Sequence, residues 1–130
     1  MPTINQLVRI GRKPKLKKCK TPHLHHCPQR AGTCDKIRLR SPKKPNSAKR
    51  KIVHIYTNYN FNIIAYAPGE DNGVYPNAKV LFRGGRPKDL PGIRYKLIPG
   101  KYGLPGILQR KNGRSKCGVR RRILPIYHRR

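Results

Sequence analysis

The chain has 130 residues, enough for one domain, and its 32 lysines and arginines face only four acidic residues. Because a formal charge of +28 makes a free globule repel itself, the composition predicts a polyanionic partner, and nucleic acid is the expected one. The few carboxylates and the lack of a nucleophile beside a recognisable base argue against an enzyme, and we expect no cofactor. No apolar run approaches the length of a membrane span, so we expect no membrane partner.

Residues 1–32 are predicted to form an extended basic arm. Thr3 is a candidate N-cap for a short helical turn within residues 2–9, which is too short to be stable alone. Cations dominate residues 12–20, and Pro14 prevents a long helix there. Because such runs become ordered against a partner, we expect the arm to thread into RNA.

Cysteines and histidines cluster at the end of this arm. Zinc sites commonly use close ligand pairs, such as two cysteines separated by two residues. Successive cysteines here are separated by seven and by six residues, so the spacing favours histidines that stack on bases or lie beside phosphates over a metal site. A metal would have to use Cys19, Cys27, Cys34, His23, His25 and His26. Without a signal peptide, we expect reduced thiols.

Residues 33–98 are predicted to form the compact part of the chain. From Thr33 to Arg40 apolar residues, including Ile37 and Leu39, alternate with cations, as in a half-buried strand. Four more strands are predicted at Ile52–Thr57, Phe61–Ala67, Lys79–Arg83 and Ile93–Ile98, with a hairpin turn at Asn58–Asn60 and a loop at Pro68–Ala78. Five short strands with a basic surface fit an all-β, five-stranded barrel of the oligonucleotide-binding (OB) type. The strand pattern alone leaves an open sheet or an SH3-like barrel equally open.

Two proline-containing loops stand out, at 41–51 and 83–92. The first reads Ser-Pro-Lys-Lys-Pro-Asn-Ser-Ala-Lys-Arg-Lys, and its two prolines stiffen the backbone. Its lysines suit phosphates, whereas Asn46 and Ser47 suit sugar hydroxyls and base edges. The second reads Arg-Gly-Gly-Arg-Pro-Lys-Asp-Leu-Pro-Gly, and we expect Gly84 and Gly85 to permit positive φ. A solvated, charged turn is the plainer interpretation of either loop alone.

These motifs resemble the family of small-subunit ribosomal protein twelve, the streptomycin-resistance proteins. The resemblance rests on Pro-Lys-Lys-Pro-Asn-Ser-Ala at 42–48 and Arg-Gly-Gly-Arg-x-Lys-Asp-Leu-Pro-Gly at 83–92. Residues 1–9 and 113–119 resemble the two ends of that family. It implies an OB-type barrel and a structural, RNA-binding role at the decoding centre of the small ribosomal subunit, with a contribution to codon–anticodon accuracy.

The resemblance also implies individual roles. Ser47 would support the second codon position, Pro45 would lie by the third, and Asn46 would contact the surrounding RNA. Lys43 and Lys88 match positions where substitutions alter accuracy and the streptomycin response. Asp89 matches an aspartate that carries a methylthio group in bacterial relatives, so it is a candidate modification site. The full set of candidate decoding and RNA-binding residues is Lys43, Lys44, Pro45, Asn46, Ser47, Arg50, Lys51, Arg83, Arg86, Lys88, Asp89, Pro91, Arg94, Arg114 and Lys116.

Residues 99–130 are predicted to form a basic, irregular tail, in which Gly103, Pro105 and Gly106 disfavour regular structure. The implied partners are small-subunit ribosomal RNA, the codon–anticodon helix of messenger and transfer RNA, neighbouring small-subunit proteins and, transiently, elongation factors. The Asn, Ile, Tyr and Lys usage of residues 52–66 suggests an A/T-rich genome. This favours a ribosome in the mitochondrial matrix over one in a plastid or the bacterial cytoplasm.

A free single-strand RNA-binding protein or RNA chaperone with an OB-type barrel is the alternative function. Such proteins stack bases on aromatic side chains. The candidates for that role are Tyr56, Tyr59, Phe61, Tyr66 and Phe82. Most of them fall in predicted strands, where we expect burial in the core instead.

Overall fold

The computed structural model describes residues 1–70, 73–108 and 110–119. Five strands form a closed barrel: β1 (Gln29–Arg40), β2 (Arg50–Tyr56), β3 (Asn62–Tyr66), β4 (Lys79–Gly84) and β5 (Tyr95–Leu97). Their order around the barrel is β1-β2-β3-β5-β4, and β4 closes it by pairing with β1. All pairs are antiparallel except β3 with β5, which is parallel. This arrangement confirms the predicted five-stranded OB-type barrel.

Strand β1 is long because it serves two pairings. Its first part, Gln29–Thr33, pairs with β4, and the remainder pairs with β2. It therefore begins four residues before the predicted start at Thr33. Pairing with a strand that is distant in the sequence does not depend on a local alternation of apolar and polar residues, so the local pattern did not indicate this part of β1. Between Cys34 and Lys36 the register shifts. This bulge lets Cys34 and Ile37 both pack towards the core.

Leu39 was expected on the apolar face of this strand but is 64% exposed. It lies beyond the β4 pairing, where β1 pairs with β2 opposite Lys51. The apolar face of β1 therefore ends near Ile37, and alternation alone overestimated its length.

The core fills the barrel with inward-facing residues of all five strands. The largest fully buried side chain is Phe82, whose ring meets the Tyr95 ring edge-on at a centroid distance of 5.7 Å. Gly32 lies where β1 approaches β2 so closely that a Cβ there would be 2.5 Å from a methyl carbon of Ile55. The buried residues of this core are Leu24, Cys34, Val53, Ile55, Ile63, Ala65, Ala67, Ala78, Val80, Phe82, Tyr95, Leu97 and Leu104.

Both predicted flanking segments reach the barrel. Leu24 comes from a 3-10 turn, Pro22–Leu24, in the predicted arm, and it is buried in the core. Leu104 comes from the predicted tail and is also in the core. Each segment is thus fixed to the barrel by an apolar side chain. The basic run 120–130 of the predicted tail lies outside the described residues.

The helix predicted near the amino terminus is α1 (Ile4–Ile10). Thr3 is its N-cap, and it forms a capping box with Gln6, so this prediction is confirmed. None of the helix residues is buried. With seven residues α1 is far shorter than a bilayer span, and no other helix in the described parts of the chain is long and apolar enough to cross a membrane.

All four cysteines are free thiols. Cys19 and Cys27 are exposed, whereas Cys34 and Cys117 are buried. Within 1–70, 73–108 and 110–119, no three His, Cys, Asp or Glu residues are grouped so that they could hold a metal ion. Two histidines of the predicted cluster, His23 and His25, instead lie against aromatic rings of the turn between β2 and β3.

Replacement of Phe82 by alanine should destabilise the barrel by about 3–5 kcal/mol, because it leaves a cavity at the most buried position. The chain has only two phenylalanines, and the other, Phe61, is 43% exposed. Phe61→Ala is therefore the matched control and should cost much less. Urea unfolding of the purified protein measures both changes, and equal losses would contradict this description of the core.

The buried and exposed thiols should also differ in reactivity. Burial raises the pKa of the Cys34 thiol, so less of the reactive thiolate is present at a given pH. We expect iodoacetamide at mildly alkaline pH to label Cys19 and Cys27 quickly and Cys34 only after unfolding. Peptide mass spectrometry reads out each site, and the same reaction in urea is the control that should label all four. Rapid labelling of Cys34 in the folded protein would show that the core is open there.

Candidate nucleic-acid interface

The two proline-containing loops occupy equivalent places in the barrel. The first joins β1 to β2 through residues 41–49, and the second joins β4 to β5 through residues 85–94. The structure shortens the first predicted segment, since Arg50 and Lys51 lie on β2, and shifts the second by two residues, since Arg83 and Gly84 lie on β4 and β5 begins at Tyr95. In OB-type barrels these two connections and the face of β2 and β3 are where oligonucleotides bind. The topology thus brings both predicted loops to the expected binding region.

A direct contact at Asp89 joins the loops. The backbone N–H of Lys43 donates to the backbone carbonyl of Asp89 at 2.9 Å. An Arg50 guanidinium nitrogen lies 3.5 Å from a carboxylate oxygen of the same residue. Both side chains of this ion pair are about one-third exposed, so solvent screens it and it contributes little to stability, about 0.2–1 kcal/mol. The backbone bond fixes the spacing of the loops, and the ion pair supplements it.

A small apolar cluster below this contact anchors the second loop. Leu90 and Ile93 are each 1% exposed, and they pack with Ile52 of β2. Tyr66 of β3, which is half-buried, covers the cluster. The loop therefore buries two of its own side chains while its charged residues stay outside.

Further hydrogen bonds shape each loop. In the first, the backbone N–H of Asn46 donates to the carbonyl of Lys43 at 3.2 Å and closes a turn. In the second, the N–H of Gly85 donates to the carbonyl of Arg94 at 3.1 Å and closes the loop at its base. Positive φ occurs at Gly92, with a value of 86°, and not at Gly84 or Gly85 as expected. Gly84 is instead the last residue of β4, where extended geometry is required.

Most candidate residues on these loops point into solvent. Arg50, Lys51 and Asp89 are half-buried. The exposed candidates are Lys43, Lys44, Pro45, Asn46, Ser47, Arg83, Arg86, Lys88, Pro91 and Arg94. Among the described residues of the two loops, Asp89 is the single acid, and Arg50 compensates it. The surface is therefore strongly cationic and is interrupted by small polar groups, a pattern suited to an RNA backbone and its sugar hydroxyls.

A cleft of about 580 Å³ lies between the arm and the second loop. Arm residues 18–21 form one side and Gly84, Gly85, Arg86 and Arg94 form the other. Lys18 and Lys20 thus join two arginines around one concavity. Four cations around a cleft suit phosphate oxygens. No local pattern indicates this pairing, because more than sixty residues separate the two sides in the chain.

Arg114 and Lys116 belong to another part of the surface. They lie on a 3-10 helix, Arg114–Cys117, of which Cys117 is the buried residue. The carbonyl of Cys117 accepts a hydrogen bond from the N–H of Ile107 at 3.2 Å, which fixes the helix to the segment after β5. Lys116 is exposed and Arg114 is half-buried. These cations extend the basic surface without joining the contact at Asp89.

Comparison with protein families identifies the family of the chain that carries this surface. The sequence model described as ribosomal protein S12/S23 matches residues 17–123, which include all five strands and both loops. The chain belongs to the ribosomal protein S12/S23 family. It is therefore a component of the small ribosomal subunit and binds ribosomal RNA. Membership confirms the family predicted from the loop motifs.

The family accounts for the composition. A charge of +28 on a barrel of this size is matched by the phosphates of ribosomal RNA. Proteins of the S12/S23 family are generally structural components of the ribosome and not enzymes. The match also favours a resident ribosomal protein over a free RNA chaperone with the same barrel.

Leu90→Ala should loosen the second loop, because it empties the cluster that anchors it. We expect a loss of about 2–5 kcal/mol in the free energy of unfolding and faster proteolysis within 85–94. Asp89→Asn keeps the backbone carbonyl that Lys43 contacts and removes only the ion pair. It is the matched control, and it should cost less than about 1 kcal/mol. If Asp89→Asn proved the more damaging, the ion pair would be the anchor of the loop.

Proposed function

We propose that this S12/S23-family protein buttresses the decoding centre of the small subunit and contributes to codon–anticodon accuracy. The observation that carries the proposal is the joining of the two loops at Asp89 by the Lys43 hydrogen bond, with the second loop anchored on β2 by the Leu90 cluster. Two joined loops form one rigid surface, and rigidity is what a test of molecular shape requires.

Shape is the property that such a surface would help to test. A codon–anticodon helix is short and A-form, and its shallow minor groove displays 2′-hydroxyls whatever the sequence. A support that holds ribosomal RNA bases against this groove distinguishes correct from distorted pairing without reading individual bases. Following the family resemblance, Ser47 supports the second codon position, Pro45 lies by the third, and Asn46 contacts the surrounding RNA. All three side chains are exposed on the first loop, as these roles require.

Lys43 and Lys88 would act through phosphates. Both side chains are exposed, one on each of the joined loops. Contacts from these lysines to ribosomal RNA phosphates favour one of two subunit conformations, and the joined loops let both act on the same equilibrium. This accounts for an influence of either lysine on accuracy.

The proposal extends to transient partners and to the cellular compartment. Elongation factors that deliver transfer RNA would contact the subunit near these loops.

The amino-acid usage of residues 52–66, which suggests an A/T-rich genome, favours a mitochondrial ribosome. Mass spectrometry of ribosomes purified from mitochondria, plastids and cytoplasm tests this point, since the protein should be found in the mitochondrial small subunit. Its absence there would refute the mitochondrial assignment and leave the ribosomal one intact.

Ribosomes carrying Lys43→Ala should be more stringent and slower. The Lys43 contact to Asp89 uses backbone atoms, so alanine keeps the loop geometry and removes only the charge. A shift of about 1 kcal/mol in the conformational equilibrium changes near-cognate misreading several-fold. In vitro translation with a near-cognate reporter measures misreading and elongation rate.

Lys36→Ala is the matched control for this experiment. Lys36 is an exposed cation on β1 outside both loops, and its loss should leave accuracy unchanged. Equal misreading in ribosomes with wild-type protein, Lys43→Ala and Lys36→Ala would count against a decoding role for the first loop.

A further inference from the structure

A group of aromatic and cationic side chains lies at the end of β2 opposite to the first proline-containing loop. It comprises His23, His25, Arg30, Tyr59 and Phe61, which we call the aromatic platform. The ring of His23 lies 5.0 Å from that of Phe61, and the ring of His25 lies 5.7 Å from that of Tyr59. The Arg30 guanidinium lies over the Tyr59 ring at 4.8 Å from its centroid. Three separate segments of the chain thus contribute planar groups to one patch.

The tyrosine and phenylalanine rings of the platform are exposed to solvent although they are largely apolar. Tyr59 is 61% exposed and Phe61 is 43% exposed. Phe82, by contrast, is fully buried, so the expectation that the aromatic residues serve the core holds for Phe82 and is wrong for this pair and for Tyr56, which is 46% exposed. Exposed rings grouped together on a soluble surface mark a place where a partner binds.

The turn that carries the platform is well fixed. Between β2 and β3, the N–H of Thr57 donates to the carbonyl of Phe61 at 3.1 Å, and that of Asn60 donates to the carbonyl of Thr57 at 3.0 Å. The Tyr56 hydroxyl also donates to the Asn60 side chain. A rigid turn presents its rings without a large loss of entropy on binding.

The platform is separate from the first decoding loop. That loop precedes β2 and the platform turn follows it, so they lie at opposite ends of a seven-residue strand. At about 3.3 Å per residue, the strand separates them by roughly 20 Å. A cleft of about 280 Å³ adjoins the platform and is lined by His23, Tyr95 and Arg94, among others. The rings of the platform therefore lie beside both this cleft and the cationic side chain of Arg94.

We propose that the aromatic platform stacks an unpaired nucleobase of ribosomal RNA. Ring faces and an arginine plane are the groups on which proteins stack splayed-out bases, and ribosomal RNA is the partner that the family supplies. Arg30 adds a positive charge for the adjoining phosphate. The stacking rings lie at the opposite end of β2 from the first loop, so this contact is distinct from the one proposed for decoding, although the adjoining cleft shares Arg94 with the second loop.

Binding of short RNA by the full-length protein tests the proposal. One probe is a fluorescent single-stranded oligouridine, and the other is a strand of equal length with abasic spacers, which keeps the phosphates and lacks the bases. Tyr59→Ala should weaken binding of oligouridine by about tenfold, since one base–aromatic stack contributes at least about that much. Binding of the abasic strand should not change, because no charge is lost.

Tyr75→Ala is the matched control, since Tyr75 is an exposed tyrosine (56%) outside the platform. It should leave both affinities unchanged. Circular dichroism verifies the fold, and if Tyr59→Ala does not fold, Tyr59→Leu removes the ring while keeping an apolar side chain of similar bulk. Equal losses for the two probes, or no loss for oligouridine, would overturn the proposal.

A second measurement places the test in the assembled subunit. The chain has no tryptophan, so Phe61→Trp introduces a single reporter at the platform. Because other proteins of the subunit also contribute tryptophan emission, the signal is the difference between variant and wild-type small subunits. A stacked base should quench this difference for Phe61→Trp, whereas it should not be quenched in this way for Tyr75→Trp. Blue-shifted emission without quenching would mean that an apolar protein surface covers the platform, and would refute RNA stacking there.

Discussion

The contact between Lys43 and Asp89 is the constraint on which the rest of the interface depends. It is a backbone hydrogen bond, so it fixes the relative position of two loops that lie more than forty residues apart in the chain. The cluster of Leu90, Ile93 and Ile52 keeps this bond in place by burying the base of the second loop. Because neither element uses a cationic side chain, exposed cations of the two loops such as Lys43 and Lys88 remain available for RNA. In Lys43, for example, the backbone N–H stabilises the loops, whereas the side chain is left to bind RNA.

The barrel explains why these loops can be short and stiff. In the order β1-β2-β3-β5-β4, the β1–β2 and β4–β5 connections both reach the region around Asp89. Leu24 and Leu104 fix the flanking segments to the same core. The arm consequently reaches the second loop, and its lysines join Arg86 and Arg94 around a basic cleft. A chain of 130 residues thereby presents a wide cationic surface on a small core.

The sequence predicted five strands, because apolar runs bounded by turn residues indicate them, but this pattern left an open sheet or an SH3-like barrel equally possible and the family resemblance favoured the OB-type barrel. It also predicted the family, because the loop motifs are specific in composition and spacing. The prediction was wrong for the start of β1, which pairing with β4 determines. It was also wrong for the burial of Leu39, which lies beyond that pairing. The local pattern of residue types indicates neither. It missed the aromatic platform for a similar reason: His23 and Arg30 meet Tyr59 and Phe61 only through the fold. Contacts between distant segments lie beyond what periodicity or propensity can indicate.

The second half of β1 affects the protein before it reaches the ribosome. Residues 36–40 extend past the pairing with β4, so one side of this stretch resembles the edge of a sheet. Such edges recruit other strands and promote aggregation unless charges prevent it. Lys36, Arg38 and Arg40 occupy this stretch. The same cations that suit RNA therefore keep newly made copies apart, and they make self-association unfavourable while the chain awaits assembly.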